Sequence, residues 1–566
     1  MKMKTENKST LWPWALSFLT GALIGAVTFL SLFGTRVLDV TYEDWLLTEW
    51  YDLSQHYVGW KLFRASGWHF PIGLCDNSFY PYYASVIYTD SIPLLSVIFK
   101  LLSPLLPETF QFFGLYGLLC FVLQGGLAKL ILRRIFNREW QCNLGCIPFV
   151  LCAPLIQRMF YHTALASHFL ILLAIILFMY RSEIKSLKKR ITLWCILGML
   201  CISIHFTIYA IVSVMFAGYV LWEMLEAGKG AKSKAAVFGG FMVPYLASSI
   251  ALFWLLGGFY GNVSGESFGL GDYSANLNSL FNPLDYSCII KELPCGDNQY
   301  EGLAYIGIAA ILMLLPALAN IIRRRRFLWA LYKKPIISIA LTTLLLWVIA
   351  LSPKIMAGEA LLADVQWPRF VTDAWSIFRS SGRFLWPVMY LTIILALHFS
   401  KKETGSFFAP LLILACVLQI YEYGDKTEEL SGRYSEEKHA SFSAERLENC
   451  DLTGIKHVQF MHPYYFGEYY GDEIRDQMIG YTMFALDHGM TVSNFHFSRD
   501  DMEALEDRID YCDSLLRNGM PERDTIYVMK LDEFLEEGLF DEYEGVEFIY
   551  TDTEVVAIPE HHGEIK

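Results

Sequence analysis

Apolar runs dominate this chain as far as about residue 420 and then stop. Stretches of roughly 17–25 residues can cross a bilayer as helices. Candidate spans read near 12–33, 109–132, 142–160, 163–181, 191–204, 206–224, 235–257, 303–322, 335–351, 385–399 and 406–421, several at the short end. The polar connections between them alternate in character. Every second one is short and basic: Arg133, Arg134 and Arg138; Arg181, Lys185, Lys188, Lys189 and Arg190; Lys229, Lys232 and Lys234; Arg323 to Arg326 with Lys333 and Lys334; Lys401 with Lys402. Because cations collect on the cytoplasmic side of a membrane, the pattern predicts a polytopic α-helical membrane protein of about 11 transmembrane helices, N-terminus in. The run 91–106, SIPLLSVIFKLLSPLLP, would break that parity if it crossed, so it reads as an interfacial helix. The first span follows Lys2, Lys4 and Lys8, has no small-residue cleavage site after it, and reads as an anchor.

This reading puts residues 1–422 in a transmembrane domain with a long first outer loop, 34–108, and residues 423–566 in an extracytoplasmic α/β domain. In the tail, KHVQFMH, MTVSNFHF, DTIYVMK and VEFIYTDTEVVAI have the β-branched and aromatic content of strands, and SRDDMEALEDRIDYCDSLLRNG has a capped helical pattern. Charge divides at the same boundary. From residue 421 onward there are 35 acidic against 12 basic side chains, so the tail carries -23 and the rest +10 of a net -13. An acidic chain whose cations sit in short connectors implies no nucleic-acid partner. Seven of the 12 cysteines fall in predicted spans, while Cys288 with Cys295, and Cys450 with Cys512, are candidate disulfides of an oxidising compartment.

Candidate chemistry concentrates on the outer side. In YDLSQHYVGWKLFRASGWHFP, residues 51–71, a helix would put Asp52, Gln55 and His56 on one face. Tryptophans 45, 50, 60 and 68 suit a segment lying along an interface. Asp52 is the first choice for a general base; its plainer reading is an exposed loop carboxylate. Asp90 is either a helix N-cap or a substrate- or metal-binding carboxylate. His162 and His168 flank one outer turn and His205 lies in the next, with Arg158 beside them, which suggests an outward-opening polar pocket or interfacial histidines bonded to backbone. Arg379 and Arg383 suit bidentate recognition of a phosphate or anchoring at lipid headgroups; Lys61 and Arg64 have the same two readings. Glu301 can complete an acidic pair with Asp52 or Asp272. The stretch 261–283, rich in Gly, Ser and Asn, reads as an irregular loop able to close over a site.

The first loop, the YHTALASH turn and the FRSSGRFLWP segment together resemble a family of uncharacterised bacterial multi-pass envelope proteins, itself similar to the GT-C superfamily of polytopic glycosyltransferases. The resemblance covers roughly residues 12–420. It implies transfer of a sugar from a polyprenyl-phosphate donor to an extracytoplasmic glycan, lipid or protein acceptor at the cell membrane. It also implies Asp52 in the catalytic-carboxylate position, helped by His56, with basic residues near the donor phosphate. The DD or ExD dyad of many such enzymes is missing, since Leu53 and Ser54 follow Asp52. Use of a divalent cation is therefore left open. The competing readings are a lipid-linked saccharide flippase, whose binding groups would sit near the midplane in repeated halves, and a non-catalytic envelope assembly factor working through its acidic tail.

Overall fold

The computed structural model describes residues 12–48, 51–228, 230–262, 269–462, 472–499, 501–551 and 553–560. Lys2, Lys4, Lys8, Trp50, Lys229 and the 263–268 part of the predicted loop lie outside these. The protein is mostly helical. Among the described residues six helical stretches are long and apolar enough to cross a membrane: Trp14–Phe33, Phe113–Leu132, Phe206–Glu226, Ala231–Leu255, Gly307–Leu351 and Ser381–Glu422. On the first, Leu16, Leu19, Leu23, Val27 and Leu30 form an exposed stripe at helical spacing. An outward apolar face of that kind is costly in water and natural in lipid. The 45-residue stretch Gly307–Leu351 loses helical dihedrals at Tyr332 and carries Arg323 to Arg326 in its middle, so it consists of two apolar arms around a basic centre.

The other predicted spans are helical but broken or short. Residues 142–160 are split into Glu139–Gly145, Ile147–Val150 and Ala153–Arg158, with Pro148 and Pro154 opening the second and third pieces. Phe169–Met179 and Leu187–Ile202 follow. The run 91–106 becomes a ten-residue helix, Pro93–Leu102, continued by Ser103–Leu105. At about 1.5 Å per residue this helix is too short to span. Its surface is inverted: Ile98, Leu101, Leu102 and Leu105 are exposed, whereas Ser96 and Lys100 are buried. Lys100 donates to Ser66 Oγ and to the Gly67 carbonyl, both at 2.8 Å.

One correction concerns the first loop. Trp45 and Trp60 do not lie at a surface but are buried, with Trp60 Nε1 donating to the Phe110 carbonyl at 3.0 Å; Trp68 is the exposed one. Apolar contacts of the helix Tyr51–Ala65 with the bundle outweigh an interfacial arrangement. The loop also contains a hairpin, β1 (Leu74–Phe79) and β2 (Tyr82–Ser85). A second small hairpin, β3 (Lys354–Ala357) and β4 (Ala360–Asp364), joins two helical regions.

The tail folds around a five-stranded sheet, as its alternating strand patterns predict. The strands are β5 (His457–Phe460), β6 (Thr491–Val492), β7 (Thr525–Lys530), β8 (Val546–Tyr550) and β9 (Glu554–Pro559), in the order β6-β5-β7-β9-β8. β5 pairs in parallel with β6 and β7; the pairs of β9 are antiparallel. The predicted tail helix is Met502–Arg517, capped by Asp501. One sheet face, through Val458, Phe460, Val528 and Val556, continues the core of the helical body, and the other covers a second cluster with Cys512, Tyr527 and Phe534. The candidate disulfides are not formed: all 12 cysteines are free thiols, and Cys512 is sealed in that second cluster.

Candidate functional site

A cavity of about 690 Å³ lies where the first loop, the histidine turns, the FRSSGRFLWP segment and the tail meet. The helix Tyr51–Ala65 buries Leu53, Tyr57 and Trp60 and turns Asp52 and Gln55 to the cavity. Asp52 sits in its first turn, where the helix dipole favours a carboxylate. Gly59 on the same helix admits the segment 89–91: a Cβ there would lie 2.6 Å from Thr89 Cβ and 2.8 Å from Ser91 Oγ. That approach brings Asp90 to the same cavity. Asp90 and Ile92 both have φ of 53°, a region that a β-branched residue rarely enters. Such outliers gather at functional sites. Asp90 is not the helix N-cap, because Ile92 holds that place.

Two His–Asp pairs face the cavity. His162 Nε2 is 3.5 Å from Asp52 Oδ2, and His205 Nε2 is 3.7 Å from Asp90 Oδ1. Burial pushes Asp52 up to about 7, with repulsion from Asp90 adding to it and Arg379 and Arg383 pulling the other way. Burial likewise raises Asp90 to about 6, against Arg383 and Arg499. Burial, reinforced by Arg383 and Arg158, holds His162 well below the usual imidazole range. The histidine is therefore neutral at pH 7, and Asp52 titrates near neutrality.

Glu301 shares the cavity with Asp52 and its charge adds to the rise of the Asp52 pKa, but its direct partners are cations. It is clamped by two arginines: Arg158 Nη1 and Nη2 reach its two oxygens at 3.1 and 2.9 Å, and Arg383 Nε donates to Oε2 at 2.8 Å. Burial alone would raise Glu301, but the guanidiniums override it and hold it at about 2. Gly382 makes the clamp possible, since a Cβ there would come within 2.6 Å of Gly302 Cα. The other acid considered, Asp272, pairs with Lys354 at 3.0 Å. Arg379 donates to Tyr273 Oη at 2.9 Å and lies 4.4 Å from the centre of that ring. Three cavity-lining cations, Arg379, Arg383 and Arg499, thus face Glu301, which Arg383 holds, and the two carboxylates of raised pKa, Asp52 and Asp90. The cavity favours an anion. Its remaining wall is apolar, with Ile202, Ile204, Phe206, Phe253 and Phe378.

Of the residues singled out from the sequence, Asp52, Gln55, Asp90, His162, Glu301, Arg379 and Arg383 line this one cavity. His56 does not. It is buried behind the wall, its ring centre 6.0 Å from that of His162, and Ser91 Oγ donates to its carbonyl at 2.7 Å. His168 is buried elsewhere, with Nδ1 2.8 Å from Tyr390 Oη and the ring against Trp386. Arg64 ties down the end of the first loop by donating to the Pro107 and Glu108 carbonyls at 2.7 Å. It is not among the residues that line the cavity. Arg383 lies in the turn Ser381–Leu385 and Arg379 precedes it. Among the described residues no three His, Cys, Asp or Glu side chains gather as a metal-ligand set.

The sequence did not reveal Tyr88, Tyr161, Tyr273, Tyr300 or the contribution of the tail. The tail is stitched to the loop by backbone: Gln55 Nε2 donates to the His496 carbonyl at 2.8 Å, and Ser498 N to that of Tyr88 at 2.7 Å. Arg499 Nη2 meanwhile donates to the Ile377 carbonyl at 2.8 Å. The signal for Arg499 was slight, one of the few cations of an acidic tail.

No curated protein matches the chain. Two family models do: a "DUF6311 C-terminal domain" over residues 451–559, which covers the five-stranded sheet, and a "Domain of unknown function (DUF6311)" over residues 22–424, which covers the helical body and every cavity-lining group outside the tail. The chain belongs to the DUF6311 family.

Proposed function

We propose that this is a membrane glycosyltransferase of GT-C type, which moves a sugar from a polyprenyl-phosphate donor to an extracytoplasmic cell-envelope acceptor. The reading includes about eleven crossings, counting the shorter helices, with the N-terminus inside and the tail outside. The observation that carries it is the convergence of Asp52, with its raised pKa, on a cation-rich cavity that has one apolar wall. In the reaction an acceptor hydroxyl oxygen attacks the anomeric carbon of the donor as the carbon–oxygen bond to phosphate breaks. Asp52 takes the hydroxyl proton, and the polyprenyl phosphate leaves with the bonding electron pair, gaining one negative charge. Arg379 and Arg383 stabilise that charge, and His162 orients the Asp52 carboxylate. The apolar wall accommodates the first isoprene units. A single displacement inverts the anomeric configuration.

The test is bound-lipid mass spectrometry of the purified full chain, followed by a transfer assay with a sugar-loaded polyprenyl phosphate. A co-purifying polyprenyl phosphate and an inverted product are expected. Flux of the carrier across liposomes without transfer would instead favour a flippase.

The pH profile is a second test. The base acts ionised, so kcat/KM is expected to climb about tenfold per pH unit below about 7 and to level off above it. Asp90 raises Asp52 through like charge, so Asp90→Asn is expected to move this limb to lower pH. A limb that stays in place would remove Asp90 as the tuning residue.

A further inference from the structure

The central cavity is the last of three in a row. A second, of about 340 Å³, shares Tyr88 and Arg499 with it, and a third, of about 430 Å³, shares Tyr82 and Tyr83 with the second. Neighbouring cavities adjoin through these shared walls, and the row is a trench of three compartments. One bank is the hairpin β1–β2, and the other is the tail, held in place where Tyr80 N donates to the Val492 carbonyl at 2.9 Å and Tyr80 stacks on His457 with ring centres 3.7 Å apart.

The lining alternates ring faces with hydrogen-bonding groups. Tyr82 and Tyr260 are 40% and 38% exposed. Tyr83 stands edge-on between Tyr260 and His69, and Asp76, Asn77 and Asp501 line the outer cavities, Asp76 bonded to His69 at 2.7 Å and Asp501 accepting from Asn262 N at 2.7 Å. A pyranose has an apolar C–H face and a rim of hydroxyls, and exposed tyrosines beside carboxylates and amides match both. Charge narrows the choice. The tail bank belongs to a segment carrying -23, and Asp76 and Asp501 line the outer two cavities against one arginine, Arg499, at the inner end, so a polyanionic chain is disfavoured. Each outer cavity falls in the ~300–1,000 Å³ range of small-molecule sites.

We infer that this trench binds an uncharged oligosaccharide, the growing end of the acceptor, threading its terminal sugar past Tyr88 and Arg499 to Asp52. The inference rests on the transferase reading for the role of acceptor, and on the trench alone for the binding of a neutral glycan.

The test uses the full chain in detergent on an array of neutral and anionic oligosaccharides, with affinities of the hits then measured by calorimetry. Neutral oligomers of several sugars are expected to bind. Tyr82→Ala and Tyr260→Ala are each expected to weaken binding roughly fivefold to tenfold, while Tyr82→Trp, which keeps a ring face, restores it. Both tyrosines are exposed at the trench, so the alanine variants retain the fold, checked by unchanged thermal unfolding. The absence of any neutral binder, a preference for anionic glycans or peptides, or binding indifferent to Tyr82 would each overturn the inference. Asp52→Asn separates the two ideas. Tyrosine-dependent glycan binding without Asp52-dependent transfer leaves the trench and removes the transferase; Asp52-dependent transfer to an acceptor that ignores Tyr82 does the reverse.

Discussion

Asp52→Asn is expected to lower the rate of sugar transfer by about 10²–10⁴, or about 3–5 kcal/mol of barrier, with the protein still folded and the donor still bound. Asparagine keeps the shape and the distance to His162 but cannot accept the acceptor proton. The neutral amide also removes a carboxylate that burial and Asp90 already hold near its titration point, so folding is not penalised. In the proposed reaction Arg379 and Arg383 hold the donor phosphate, and the substitution leaves them in place. The loss should therefore fall on kcat and not on KM. Single-turnover transfer with excess enzyme and a labelled polyprenyl-phosphate sugar measures the chemical step directly. Wild-type turnover in the variant would remove Asp52 as the base.

Much of the site was legible in the sequence because membrane proteins spend ionisable groups sparingly. Asp52, His162 and Arg383 stood out against apolar surroundings, and all three line one cavity. Their partners were not legible. Arg158 is 143 positions from Glu301 and Arg383 is 82, and no periodicity reports such a pairing. Glu301 thus looked like one half of an acidic pair when it is the anion of a buried clamp. His168 and Arg64 failed for a related reason. A polar residue near a membrane boundary shows in sequence, but whether it faces a cavity, a tyrosine hydroxyl or a loop carbonyl is decided by packing between distant segments.

The fold divides in the same way. Strand patterns in the tail placed β5, β6 and β7, and a single run, VEFIYTDTEVVAI, holds both β8 and β9, because a sheet covered on one or both faces needs β-branched and aromatic residues in sequence. What the tail does to the site was invisible, since its contacts there run largely through backbone groups of residues 492–498, which any side chain could present. The short helices at 139–158 are the helical counterpart. Hydropathy reads them as one span, and the prolines that open the pieces at 147 and 153 carry the break.

The buried clamp supports the second large expectation. Arg158 is fully buried and Glu301 nearly so, and the one carboxylate is shared between two guanidiniums. Glu301→Gln leaves two cations facing each other out of water, and removing one partner of such a network costs about 3–5 kcal/mol. The variant is expected to unfold at a markedly lower temperature in detergent than the wild type. Because Glu301 is held at about 2, below its ordinary value of 4.5, its contribution is fully present above 4.5 and is lost as pH falls towards 2; the gap between wild type and variant should narrow over that window. A compensating change separates lost charge balance from lost shape. Arg158→Met combined with Glu301→Gln removes one buried cation along with the anion, and is expected to be more stable than Glu301→Gln alone, since apolar replacement of buried ions is often neutral. Equal melting of wild type and the single variant, or a double variant no better than the single one, would show that the three side chains do not act as one electrostatic unit.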